Sequence, residues 1–286
     1  MNLPKEFIRI PVARPLSVWS NLQMLIVGPL FAPIYWLIAF AYKVPGLILH
    51  LDSALLGLRA LVARSSILSY GTLYRMVFYP MDSTRYFEIS FVWKILGTMT
   101  IRHYLDVSSP RLVPLLLLRR HCVAEATVIN PDSRDLAITI ALAEANQIDT
   151  RCQFHELLIE QASFLPESFD AITSISVVEH ILDDTGAIKK MWELLRPGGR
   201  LIISVPCTVK ASEQYIDQNE YGVLETDEDG FIFWQRFYDV DLLRERIFRV
   251  TGLPVRYEVY GEKARGVFAK NATWKRSDGQ YPYWQE

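Results

Sequence analysis

Cysteine is scarce in this chain of 286 residues: Cys122, Cys152 and Cys207 stand far apart, with no Cys-x-x-Cys pair among them. That spacing supplies neither a zinc site nor a disulfide framework, so the three thiols are expected to be reduced, in or near the core. A dense Lys/Arg run is also missing, which argues against nucleic acid as a partner. Net charge is close to neutral but unevenly placed. Met1 to Leu105 carries ten Lys/Arg against four Asp/Glu (+6), and the remainder carries twenty against twenty-eight (−8), giving the net −2. The basic part is also the apolar part, a combination suited to an anionic membrane face. With 50% hydrophobic residues, the chain can bury one sizeable core and carry an appendage of about a hundred residues.

Charge is absent altogether from Leu22 to Tyr42. About twenty such residues suffice to cross a bilayer as a helix, but Pro29 and Pro33 each remove a backbone donor within the run. A second apolar stretch, Val44 to Val62, contains Gly46, His50, Asp52 and Arg59 and reads as amphipathic and interfacial. Three arrangements stay open: one kinked spanning helix, a hairpin that enters one leaflet and returns, and a soluble helical cap. Lys5, Arg9 and Arg14 before the run balance Lys43, Arg59 and Arg64 behind it, which favours both ends on one side. Residues 1–69 are therefore read as a membrane-associating or capping helical segment, and residues 70–286 as the main domain.

The strongest pattern lies between Leu165 and Pro206. Phe169-Asp170-Ala171-Ile172-Thr173-Ser174-Ile175 is a β-branched run ending in Val178-Glu179-His180, and Leu195-Arg196-Pro197-Gly198-Gly199 leads into Arg200-Leu201-Ile202-Ile203-Ser204. The intervening Asp183 to Leu195 is long enough for a crossover helix, with Ala187, Met191, Leu194 and Leu195 as its apolar stripe. Gly198 and Gly199 are expected to end that helix. The pairing resembles the fourth and fifth strands of class I methyltransferases that use S-adenosylmethionine. The resemblance implies an α/β fold, with a doubly wound, mostly parallel seven-stranded sheet, an antiparallel last strand, and S-adenosylmethionine as cofactor.

On that resemblance, strand one is His103 to Val107, and Asp106 opens the cofactor loop. Where the family carries three glycines, this chain has Asp106-Val107-Ser108-Ser109-Pro110-Arg111-Leu112. Glycine at the first turn lets the backbone approach the cofactor without a Cβ in the way, whereas proline fixes φ and leucine adds bulk. Pro110 could instead pre-organise the start of the following helix. After the second strand, Ala126 to Ile129, the family's ribose-binding acid falls on Asn130. An amide offers only a neutral acceptor there. Asp132 either takes over that role or caps the helix Ser133 to Asn146. Glu156, after a third strand near Arg151 to His155, is the candidate acceptor for the adenine amino group, with a solvated strand-end glutamate as the alternative. Ser108, Ser109, Ser176 and Val177 complete the expected cofactor contacts.

Methyl transfer from a sulfonium is governed by positioning and water exclusion and needs no obligatory nucleophile. A base helps when the acceptor is a hydroxyl. Glu179 and His180 follow the fourth strand, at the sheet end where such folds bind ligands, and His180 has a suitable intrinsic pKa. Cys207 to Tyr238 then interleaves Tyr215, Tyr221, Phe231, Phe233, Trp234, Phe237 and Tyr238 with acidic residues. Such a long connection suits a lid, its aromatics either lining an apolar acceptor pocket or packing on the amino-terminal cap. A helix is expected over Asp239 to Val250, then a hairpin from Pro254 to Tyr260 and Gly266 to Ala269. No metal is called for. The expected acceptor is an amphipathic small molecule, a lipid or a lipid-linked glycan, met at a membrane surface by a domain on the cytoplasmic side. The lost glycines admit a second reading, a cofactor-free descendant of the fold serving as a membrane-tethered binding or scaffold module.

Overall fold

The computed structural model describes residues 3–9, 18–43, 46–63, 67–78, 81, 83–217 and 230–261. The chain divides into two compact units, one formed by Met1–Arg9 with Lys94–Tyr257 and the other by Ile10–Trp93 with Glu258–Glu286.

The first unit is built on five parallel strands: β2 (Ile101–Val107), β3 (Val123–Ile129), β4 (Cys152–His155), β5 (Phe169–Ile175) and β6 (Leu195–Ser204), in the order β4-β3-β2-β5-β6. The order reverses at β2, which has β3 on one side and β5 on the other, and this is where doubly wound sheets bind ligands beyond the carboxyl ends of their strands. Helices α5 (Leu112–Arg119), α6 (Ser133–Ala145) and α7 (Asp184–Leu194) make the crossovers. Each has a local cause. Seven consecutive residues of α5, Leu112 to Leu118, are buried, so this helix packs all round. The Asp132 carboxylate caps α6 and that of Asp183 caps α7. Ile172, Ala187, Ile188 and Met191 are wholly buried in the core between α7 and the sheet.

Among the described residues the parallel sheet has five strands rather than seven. Residues 254–260 form no strand, and the strand expected at 266–269 lies outside the described residues. Antiparallel pairing occurs instead in a separate three-stranded sheet, where β7 (Ser212–Ile216) pairs antiparallel with β8 (Ile232–Phe237). The amino-terminal strand β1 (Lys5–Ile8) adds parallel to β7, Phe7 opposite Tyr215. Gly198 and Gly199 do not end α7. The helix stops at Leu194, and the glycines form an irregularity at the start of β6. Gly198 has φ +81°, and a Cβ on Gly199 would lie 2.9 Å from the carbonyl oxygens of Arg196 and Asp170. A helical run follows β8 as α8 (Val240–Leu243), continuing through a π-turn over Arg244–Phe248 to Thr251.

In the second unit, α1 (Val18–Ala41) continues through Pro29 and Pro33, and α2 is Leu47–Ala63. α3 (Tyr70–Phe78) and α4 (Ser83–Leu96) follow. Among the described residues no helix is long and apolar enough to cross a membrane. The buried face of α2 mixes polar residues with Leu49, Ala54, Leu56 and Ala60. His50, Asp52 and Ser53 are buried, while Ile48, Leu51, Leu55, Leu58, Leu61 and Val62 are exposed. His50 is placed by Tyr86, whose hydroxyl lies 2.8 Å from Nδ1.

Candidate active site

The loop after β2 keeps the shape that glycine would give it. Ser108 adopts φ +53°, the left-handed region that side chains other than glycine rarely occupy. Hydrogen bonds hold it there. The Ser108 amide donates to the Ile129 carbonyl at 2.9 Å and its hydroxyl to the same oxygen at 3.2 Å. Ser109 is buried; its amide donates to Asp106 Oδ1 at 3.1 Å, and its hydroxyl accepts from the Ile175 amide at 3.1 Å. The loop is thus tied to β3 on one side and to the end of β5 on the other. Pro110 occupies the turn into α5, its carbonyl accepting from the Val113 amide at 2.8 Å. Leu112 is buried as the first residue of α5.

Asp106 faces inward. It is fully buried, and Tyr104 Oη and Thr173 Oγ1 donate to its Oδ2 at 2.9 and 2.8 Å. Burial pushes its carboxyl up to about 6, against the opposing effect of the Thr173, Tyr104 and Ser109 hydrogen bonds. The Tyr104 hydroxyl is raised well above its ordinary value by burial and by the neighbouring Asp106 charge. Asp106 therefore sits behind the loop and supports the Ser109 amide.

At the end of β3, Asn130 is buried and both ends of its amide are engaged. Oδ1 accepts from the Asp132 amide at 2.9 Å, and Nδ2 donates to Asp135 Oδ2 at 3.0 Å. Asp132 is the helix cap, accepting from the amides of Arg134 and Asp135 at 3.0 and 3.4 Å. Asp135 pairs with Arg111, which comes from the loop after β2. Neither Asp135 nor Arg111 stood out in the sequence. The one available signal was the place of Asp135 three residues after the cap, in the first turn of α6. Glu156 follows β4 and is exposed.

On the other side of β2, Ser176 repeats the left-handed conformation at φ +52°. Its amide donates to the hydroxyl of Ser204 at 2.9 Å. The Val177 carbonyl starts a single 3-10 turn, Val178–His180, by accepting from the His180 amide at 2.8 Å. Glu179 is buried there, and His180 is half-buried. His180 Nδ1 lies 2.5 Å from the Trp234 carbonyl oxygen of β8, and the two rings meet edge to face with centroids 4.9 Å apart. A carbonyl only accepts, so Nδ1 carries a proton in that bond. Nε2 is 3.9 Å from Glu179 Oε1. A proton taken up at Nε2 would form an imidazolium beside that carboxylate.

The sheet that supplies Trp234 is fixed to the site by buried charge. Arg236, 1% exposed, lies 2.7 Å from Asp184 Oδ2 and 3.1 Å from Glu213 Oε1, and it donates to the Ile181 and Leu182 carbonyls at 3.3 Å. Tyr238 donates to Asp184 at 2.6 Å. Phe7 of β1 packs on Tyr215 and Phe231 at 5.4 and 5.1 Å, and Tyr215 on Phe233 at 5.8 Å. Residues 218–229 of the expected lid lie outside the described residues. Among the described residues no group of His, Cys, Asp and Glu could hold a metal.

Residues 105–203, from β2 to the end of β6, match the family described as "Methyltransferase domain". That segment is a class I methyltransferase domain. A ubiquinone biosynthesis O-methyltransferase of Alkalilimnicola ehrlichii is 28% identical over 160 residues, covering 55% of this chain and 63% of the relative. The enzyme of the same description from Xanthomonas axonopodis pv. citri is 37% identical over 84 residues, 28% of this chain and 34% of the relative. The chain therefore spans less than two thirds of either. Among solved structures, a SAM-dependent methyltransferase of Leishmania major aligns over 74% of this chain and 79% of its own, at 16% identity and TM-score 0.47.

Proposed function

We propose that the chain is an S-adenosylmethionine-dependent O-methyltransferase that meets an amphipathic acceptor at a membrane surface. The observation that carries the reaction type is the placing of His180 after β5, with Nδ1 on the Trp234 carbonyl and Nε2 3.9 Å from Glu179 Oε1. In its neutral form such a ring would serve a hydroxyl acceptor by taking the hydroxyl proton at Nε2, while bound S-adenosylmethionine would supply the methyl and leave as S-adenosylhomocysteine. Glu179 offsets the charge that develops on the ring. The cofactor would lie beyond the carboxyl ends of β2, β3 and β5, against Ser108, Ser109, Asn130, Glu156, Ser176 and Val177, with Asp106 acting through the loop. The left-handed Ser108 backbone keeps the turn that a glycine would make there. When bound, S-adenosylmethionine supplies the electrophilic methyl group.

The printed names of the relatives, O-methyltransferases of ubiquinone biosynthesis, support a hydroxylated quinone precursor as the acceptor class. The membrane part of the reading rests on α1 and α2. Leu30, Leu37, Phe40, Ile48 and Val62 are all more than 60% exposed, and single helices with such faces bind the lipid interface, here on the cytoplasmic side with its anionic lipids.

Calorimetric titration of the full chain with S-adenosylmethionine and S-adenosylhomocysteine tests the cofactor, and a methyl-transfer assay on an alkyl-substituted catechol tests the chemistry. His180→Ala should lower turnover at least a hundredfold while cofactor affinity stays within about threefold. Failure of the wild-type protein to bind either ligand at millimolar concentration would favour the cofactor-free scaffold reading instead.

A further inference from the structure

The ladder between β7 and β8 is irregular at one step. Gln214 pairs with Gln235 and Tyr215 with Phe233, so Trp234 is the added residue of a β-bulge in β8. A bulge bends its strand and re-aims the residue it adds. The residue re-aimed here is the one whose carbonyl meets His180 Nδ1 and whose ring lies edge to face on the same imidazole. On its far side β7 is held by β1 at that very step, with Glu6 opposite Gln214 and Phe7 opposite Tyr215. Gln214 Nε2 donates to Glu6 Oε2 at 3.0 Å, and Gln214 Oε1 accepts from Gln235 Nε2 at 2.7 Å. These bonds cross three strands and end on the neighbour of Trp234. A carboxylate only accepts, so Glu6 sets which way the Gln214 amide faces. Phe7 packs on Tyr215 and Phe231, and Lys5 Nζ lies 4.9 Å from the centre of the Tyr215 ring.

We infer that β1 is a positioning strand for His180: Glu6 and Phe7, through Gln214 and Tyr215, lock the bulge that presents the Trp234 carbonyl to Nδ1. Its consequence for turnover rests on the reading of His180 as the base. An edge strand of four residues, with Glu6 and Phe7 exposed, covers little of the core, and its side-chain contacts gather instead at the bulge.

Nitrogen-15 NMR of the full chain labelled at its five histidines, with His180→Gln to assign the signal, reads which ring nitrogen holds the proton. In the wild type the neutral His180 ring should hold it on Nδ1. In Glu6→Ala combined with Phe7→Ala the proton should move in part to Nε2, and turnover of an alkyl-substituted catechol should fall about tenfold with its KM within about threefold. Glu6→Gln combined with Phe7→Tyr keeps an acceptor and a ring at the two positions and should restore both readouts. A wild-type neutral ring protonated on Nε2, or an alanine pair with an unchanged tautomer, would overturn the inference; the first of these needs no variant to fold. The expected tautomer change in a chain that transfers no methyl group would uphold the strand's role and overturn the reading of His180 as the base.

Discussion

The ends of β2 and β5 reach the same backbone geometry by different means. Each ends its strand in a serine with positive φ, Ser108 at +53° and Ser176 at +52°. Toward β5 and β6 the supporting elements are pinned by buried ions: Arg236 between Asp184 and Glu213, with Tyr238 on Asp184. Toward β3 the ties are mixed: the Ser108 amide and hydroxyl donate to the Ile129 carbonyl, and Asn130 is gathered to Asp135, which pairs at a partly exposed position with Arg111, while Asp106 between the two sides takes Ser109 and, from β5, Thr173. A loop can thus lose every glycine and keep its path if side-chain bonds supply what conformational freedom supplied before. The difference is one of energetics more than of shape.

Breaking the ionic side should cost most. Arg236→Met would leave Glu213 without its arginine and Asp184 with Arg246 and Tyr238, and removing one member of a buried pair costs about 3–5 kcal/mol where the remaining charge is uncompensated. Urea unfolding followed by fluorescence should show that loss, together with loss of His180-dependent turnover as β8 and its Trp234 carbonyl shift. A change below about 1 kcal/mol would mean that the network contributes little to this side.

The hydroxyl side should respond to pH. Asp106 has its carboxyl raised to about 6 from 3.8, chiefly by burial. The folded protein therefore holds a proton between those values that the unfolded chain releases. The cost of the buried anion is present above pH 6 and is relieved as pH falls through 6 toward 3.8. Asp106→Asn keeps an acceptor for the Ser109 amide and carries no such cost. Its stability advantage over the wild type should shrink by about 2 kcal/mol between pH 7.5 and pH 4.5, a figure that follows from the two pKa values. Parallel pH curves for the two proteins would show Asp106 to titrate normally.

The same contrast explains what could be read from the chain alone. Phe169 to Ile175 and Arg200 to Ser204 were legible because two apolar, β-branched runs, buried almost throughout in β5, and a long crossover between them leave few other arrangements. The Phe169-Asp170 signature proved to serve the opposite end of the sheet, where Asp170 accepts from the Arg102 and His103 amides at 3.1 and 2.8 Å and pairs with Arg196. Asp132 was legible as a cap. Tyr104, Thr173, Asp135 and Arg236 were not, because each has a defining partner 23 to 69 residues away in sequence. The reduction of the expected seven-stranded sheet to five described parallel strands, with β1 recruited to β7, depends on similarly long-range pairing. No local periodicity reports it.

The smallest effect tests whether side-chain bonds do replace glycine. A left-handed conformation costs a residue with a Cβ roughly 1–2 kcal/mol, and Ser108→Gly would remove that cost. Glycine, however, loses about 0.5–1 kcal/mol more conformational freedom on folding, and the variant would also lose the hydroxyl bond to the Ile129 carbonyl at 3.2 Å, worth about 0.5–1.5 kcal/mol. The terms nearly cancel, so Ser108→Gly should change stability by less than about 1 kcal/mol and leave S-adenosylhomocysteine affinity within threefold. Ser108→Val keeps the backbone cost, adds β-branching that disfavours this region, and forfeits the hydroxyl bond. It should destabilise by about 2 kcal/mol and weaken cofactor binding through the displaced Ser109 amide. If the glycine variant instead gained 2 kcal/mol or more, the hydroxyl would be contributing nothing, and the loop would owe its path to Asp106 and Ser109 alone.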